Sequence, residues 1–146
     1  MNRNRNKGFN LIELMTVVAI VGILTIIAVP SYNSYTIRSS RAAAQAELLN
    51  LASVQEKIYL NASAYTANMT TAYNGNATGG LGQTTGLTQD GKYTLSVVSP
   101  GQTFIISARP VAGGEQVGNG CLTIAGNNVR NWFQSSDTCG GTATAW

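Results

Sequence analysis

The 146-residue chain has no histidine, two cysteines and only six Asp and Glu side chains. Without an imidazole, a serine or cysteine nucleophile lacks its usual base, and a zinc site lacks its commonest nitrogen ligand. Cys121 and Cys139 are too far apart for a redox Cys-x-x-Cys. The acids form no working pair either. Glu13 lies in an apolar run, Glu47 and Glu56 fall in a helical pattern at a spacing of nine, and Asp90, Glu115 and Asp137 are scattered among turns. Gly79-Gly80-Leu81-Gly82 follows no strand pattern and lacks a lysine, so it reads as loop glycine and not as a phosphate cradle. No catalytic residues, no metal and no cofactor are expected.

Charge is also scarce, at 10% of residues, and its surplus is confined to one end. The first eight residues, MNRNRNKG, hold three of the nine Lys and Arg side chains and none of the acids; the rest of the chain is formally neutral. The net charge of +3 therefore gives no argument for a nucleic-acid-binding surface beyond that leader.

What the sequence does have is one long apolar run, Leu11 to Val29, interrupted only by Glu13 and a few small or hydroxylated residues. Its length nearly suffices for the roughly 20 residues that cross a bilayer. It exceeds the apolar core of an ordinary secretory signal, and Ile26-Ile27-Ala28 is a poor small-x-small cleavage site. An uncleaved anchor would fit the length but gives no reason for Glu13, because a carboxylate costs about 2.5 to 3.5 kcal/mol at mid-bilayer. Arg3, Arg5 and Lys7 should hold the leader in the cytoplasm and send the C-terminal portion across. A cut between Gly8 and Phe9 would create an ammonium group one turn before Glu13, a cation for that carboxylate.

The string Lys7-Gly8-Phe9-Asn10-Leu11-Ile12-Glu13-Leu14-Met15, continued by Val17 to Leu24 and closed by Ala28-Val29-Pro30-Ser31-Tyr32, closely resembles the N-terminal segment of class a type IV prepilins. The resemblance implies that a membrane prepilin peptidase removes the leader after Gly8, that Phe9 becomes N-methylated, and that Glu13 contacts the N-terminus of an adjacent subunit during assembly. Asn10 departs from the family's usual threonine. Partners implied are other pilin subunits in a homo- or hetero-filament, the peptidase and N-methyltransferase, an inner-membrane assembly platform, and membrane lipid before assembly. The expected location is the bacterial inner membrane and then the extracellular pilus (fimbrium), serving motility, adhesion or DNA uptake. For an exported head the default for Cys121 and Cys139 is one structural disulfide.

The organisation expected is a cleaved leader (1–8), an apolar transmembrane and filament-core helix (9–30), its amphipathic continuation (31–61) and a globular head (62–146). Pro30 should kink the helix. Beyond it, apolar residues recur at Ala44, Leu48, Leu51, Val54 and Ile58, one buried stripe. Residues 61–91, rich in Ala, Thr, Asn and Gly, read as a long surface loop pinned by Tyr59, Tyr65 and Tyr73, and three Asn-x-Ser/Thr tripeptides in it are taken as loop composition. From Lys92 the period becomes two: Tyr93, Leu95 and Val97, a turn at Pro100-Gly101, then Phe104, Ile106 and Ala108. Cys121 to Ala125 and Val129 to Phe133, joined by Gly126-Asn127-Asn128, give two more strands. The fold class is thus α+β: a long N-terminal helix on a roughly four-stranded antiparallel sheet, pilin-like. The head also resembles minor pilins of the PilE type.

Three readings remain from the sequence: structural filament subunit, DNA-binding competence pilin, and type II secretion pseudopilin. Arg130-Asn131-Trp132-Phe133 pairs a cation with aromatics, as a DNA contact would. With only Lys92, Arg109 and Arg130 balancing Asp90, Glu115 and Asp137, DNA is not favoured. A minor structural pilin is the reading preferred.

Overall fold

A computed structural model of the chain describes residues 10–134 and 136–146. Gly8 and Phe9, the expected cleavage and methylation residues, lie outside the described residues. Helix α1 runs from Leu11 to Ala62, followed by strands β1 (Tyr93–Val98), β2 (Ile105–Pro110), β3 (Cys121–Ala125), β4 (Arg130–Phe133) and β5 (Thr144–Ala145). The chain divides into two compact units, Met1–Thr36 and Ile37–Trp146.

In the first unit α1 passes through Pro30 without a break. Residues 10–35 are exposed throughout, including Leu11, Ile12, Leu14, Met15 and every large aliphatic side chain up to Val29. The most apolar 18-residue stretch of α1 has a mean hydropathy of 2.6, enough in length and composition to cross a membrane. Its hydroxyls are satisfied locally: Thr16 donates to the carbonyl of Ile12 (3.1 Å) and Thr25 to that of Val21 (2.8 Å). Such back-bonding keeps a hydroxyl compatible with lipid or with an apolar filament core.

In the second unit the rest of α1 packs on a five-stranded antiparallel meander of order β1-β2-β3-β4-β5. Ala44, Leu48, Leu51 and Ile58 from the helix meet Tyr93, Leu95, Phe104, Ile106, Ala108, Leu122 and Ile124 from the sheet side. The strand alternation read from sequence is the one observed: Tyr93 and Leu95 are buried while Thr94 and Ser96 are exposed. Asn128, in the β3–β4 turn, has φ 61°, a left-handed conformation that asparagine tolerates better than most residues.

Three details differ from the sequence expectation. The sheet has a fifth strand, because the chain end returns antiparallel to β4 and pairs Trp132 with Thr144 and Asn131 with Ala145. The fourth buried place on the helix stripe belongs to Gln55, fully buried, and Val54 is only half-buried. The Gln55 carboxamide mates with the backbone of Thr66: Nε2 donates to the Thr66 carbonyl (2.7 Å) and Oε1 accepts the Thr66 N–H (3.0 Å). The 61–91 loop is also more built than its composition suggests. The Thr66 hydroxyl donates to the Gly79 carbonyl (2.6 Å), and Leu81 joins the core. At Gly80 a Cβ would overlap the backbone of Thr71, so only glycine lets these segments close. Tyr65 does pin the loop, stacked on Tyr59 (4.6 Å) and edge-on to Phe104 (4.8 Å), whereas Tyr73 is exposed.

Candidate functional site

Two regions carry the residues singled out from sequence. The first is the start of α1. Asn10 caps it: its Oδ1 accepts the N–H of Ile12 (3.4 Å) and its carbonyl accepts those of Glu13 (3.0 Å) and Leu14 (3.2 Å). An asparagine does at this position what a threonine would. Glu13 falls in the first turn, where the aligned N–H groups favour a carboxylate by about 0.3 to 1 kcal/mol. That local gain is smaller than the cost of about 2.5 to 3.5 kcal/mol for a carboxylate deep in lipid. The helix end therefore explains part of why a carboxylate is tolerated here, and leaves room for a cationic partner.

The second region is the β4–β5 edge of the head. Arg130 and Trp132 stand opposite Ile124 and Leu122 in the register and so share the sheet face that carries those core residues. Trp132 is half-buried, packs against the core and donates from Nε1 to the Asn119 carbonyl (2.9 Å). The guanidinium of Arg41, from α1, lies 4.1 Å from its ring centroid. Arg130 lies 5.7 Å from the ring centroid of Trp146, which packs on the core and donates from Nε1 to the carbonyls of Asn131 (3.0 Å) and Thr123 (3.3 Å). Two cation–π pairs thus sit next to each other on one edge. Sequence reasoning found Arg130 and Trp132 and missed Arg41 and Trp146. Arg41 lies in the helical stretch and Trp146 at the chain end, and no local pattern links either to the β4 sequence.

This geometry changes what the aromatics can do. Each indole N–H is already bonded to backbone, and each ring carries a guanidinium close to its face. The tryptophans act as platforms that hold arginine planes in place and leave N–H edges for an anion. Among the described residues, neither Arg41 nor Arg130 has a carboxylate at ion-pair distance, whereas Lys92 binds Glu115 at 2.6 Å. Arg109 is exposed on β2 opposite Thr94.

The disulfide between Cys121 and Cys139 is formed, with Cα atoms 5.0 Å apart, and ties the C-terminal loop to β3. The head acids also have defined places. Burial disfavours ionised Asp90, but hydrogen bonds from the Thr88 hydroxyl, the Lys92 N–H and Ser40 outweigh it and hold the carboxyl below its ordinary value. Burial pushes the Tyr93 phenol up to about 12; its hydroxyl donates to Gln116 Oε1 (3.0 Å).

No curated protein matches the chain. Residues 3–29 match the prokaryotic N-terminal methylation motif. Residues 30–125, well over half the chain, match the family described as type IV minor pilin ComP, DNA uptake sequence receptor. An apolar N-terminal helix, an antiparallel head sheet and these two matches agree: the chain belongs to the ComP family of type IV minor pilins, anchored in the membrane before assembly with other pilins into an extracellular pilus.

Proposed function

We propose that this minor pilin matures by cleavage between Gly8 and Phe9 and N-methylation of Phe9, enters the filament through Glu13, and presents its β4–β5 edge to DNA. The partners required are a membrane prepilin peptidase with methyl-transfer activity and, for assembly, an inner-membrane platform. The mature segments run from Phe9 to Pro30, through the amphipathic half to Asn61, and into the head; Pro30, which offers no N–H to the Ile26 carbonyl, is the bend between the helix halves. Glu13 pairs with the ammonium of a neighbour's Phe9 once assembly strips water from both, since a desolvated carboxylate is stable only beside a cation. This role is structural, as is the family's.

DNA contact rests on one observation above the others: two guanidinium groups held over indoles on a single edge, in a chain whose family carries the description of a DNA uptake sequence receptor. Arginine edges held in this way suit phosphate oxygens, and a small number of them makes binding weak and salt-sensitive. The test is a salt series of duplex binding by the full chain in zwitterionic detergent, comparing wild type with Arg41→Gln, Arg130→Gln and the double variant. Removing one arginine–phosphate pair should reduce the slope of log K against log salt by about 0.9. If the double variant keeps the wild-type slope, the edge does not bind DNA; the structural pilin role would then stand alone.

A further inference from the structure

The Arg41 and Trp132 pair is supported from behind by a carboxylate. Asp137 accepts the N–H of Gly118 at Oδ2 (2.8 Å) and that of Gly120 at Oδ1 (3.1 Å). The carbonyl of Asn119, between those two amides, is the acceptor for the Trp132 indole N–H (2.9 Å). The turn takes a path that glycine permits and lies close against β4. Gly118 and Gly120 have φ of 83° and 84°, and a Cβ on Gly120 would overlap the Phe133 carbonyl. On the other side of Asp137, Ser136 accepts the Cys121 N–H at its carbonyl (2.9 Å), and Cys139 is bonded to Cys121. The carboxylate fixes two amides, the amides fix the intervening carbonyl, and the carbonyl fixes the rotation of the indole on which Arg41 lies.

We propose that Asp137 is a positioning residue for the DNA-contacting edge: it acts on bound DNA through the Asn119 carbonyl, Trp132 and Arg41, and not by its own charge. The functional half rests on the DNA reading above; the geometric half does not. A positioning role and a purely electrostatic one predict opposite signs. Asp137 is an anion near a surface meant for a polyanion, so neutralising it should tighten DNA binding if charge is all that matters. If Asp137 sets the plane of Trp132, the same change should weaken binding.

The experiment uses the full chain in zwitterionic detergent with nitrogen-labelled tryptophan, as wild type, Asp137→Asn, Trp132→Phe and the double variant. Trp132→Phe assigns the two indole N–H signals. In Asp137→Asn the Trp132 signal should shift and its hydrogen exchange accelerate by about tenfold or more as the Asn119 carbonyl loosens. Trp146, held by other carbonyls, should not change. Duplex affinity at low salt should fall roughly threefold or more despite the added net positive charge, and Asp137→Asn should add little in the Trp132→Phe background because both act through one indole. An unmoved Trp132 signal overturns the proposal. A moved signal with unchanged or tighter binding overturns its functional half. Should wild type itself bind no duplex, the DNA reading fails, and the indole signal still decides whether Asp137 positions Trp132. Should Asp137→Asn not fold, Trp132→Phe carries the test by itself: it keeps an aromatic platform but loses the bond to Asn119, and undiminished duplex affinity would refute the coupling.

Discussion

Gln55→Leu should destabilise the head far more than Val54→Ala, although Val54 is the apolar residue of the two. Gln55 and Thr66 are both fully buried, and the carboxamide is the hydrogen-bond partner of the Thr66 N–H and carbonyl. Leucine is close in volume, so the substitution opens little cavity and acts mainly by stranding two backbone groups away from water. Each stranded group costs about 1 to 3 kcal/mol. Extra apolar burial by leucine offsets about 1 kcal/mol, leaving a net loss of about 1 to 5 kcal/mol with its middle at about 3. Val54→Ala removes two methyl groups from a half-buried side chain, about 1 kcal/mol. The assay is thermal unfolding of the full chain in detergent followed by tryptophan fluorescence. Both tryptophans, Trp132 and Trp146, lie in the head, so the signal reports that unit. Tm should fall by roughly 10 °C or more for Gln55→Leu and by roughly 5 °C or less for Val54→Ala. Equal shifts, or the reverse order, would refute the claim that this amide and not the aliphatic stripe fastens the loop to the helix.

Glu13→Val should leave insertion and leader removal intact while incorporation into filaments drops, measured in the same cells; normal incorporation would show that apolar packing alone sets the register. Cys139→Ser, opening a bridge of sequence separation 18, should lower head stability by about 3 kcal/mol in the chain-entropy model, and thiol labelling of the unreduced, denatured wild type should modify neither cysteine. Stability should also depend on pH at both ends. The depressed Asp90 carboxyl contributes stability that is complete above its unfolded value and lost as pH falls through the folded one, so acid unfolding should set in below about pH 4 and be less steep in Asp90→Asn. The raised Tyr93 phenol contributes stability that is complete below about pH 10 and lost as pH rises through its folded value near 12, a loss Tyr93→Phe should abolish.

The apolar run with its single carboxylate was legible in the sequence because lipid and filament core impose a composition that neighbouring residues reveal by themselves. The four strands expected after Lys92, and the turns at Pro100-Gly101 and Gly126-Asn127-Asn128, were legible for a related reason. A sheet with one buried face writes its period into the chain, and Tyr93, Leu95, Phe104, Ile106 and Ala108 are buried as that period requires. The two cysteines, granted export, had one another as partners, and they are bonded.

Tertiary structure decided the remainder, in each case through a partner distant in sequence. Gln55 takes a core position because a carboxamide can pair with a backbone segment across the helix–loop boundary, and hydrophobicity cannot announce that. β5 is two residues long, too short for any period, and exists because the disulfide loop brings the chain end back to β4. Arg41 and Trp132, like Arg130 and Trp146, meet only when helix, sheet and chain end are folded together. Counted along the chain, the head's cations are few and balanced by acids. In space, Arg130 is joined by Arg41 from the helix, each beside an indole, while Asp137 faces the backbone of a turn, because the packing of helix, sheet and chain end and not the sequence order sets which charges are neighbours.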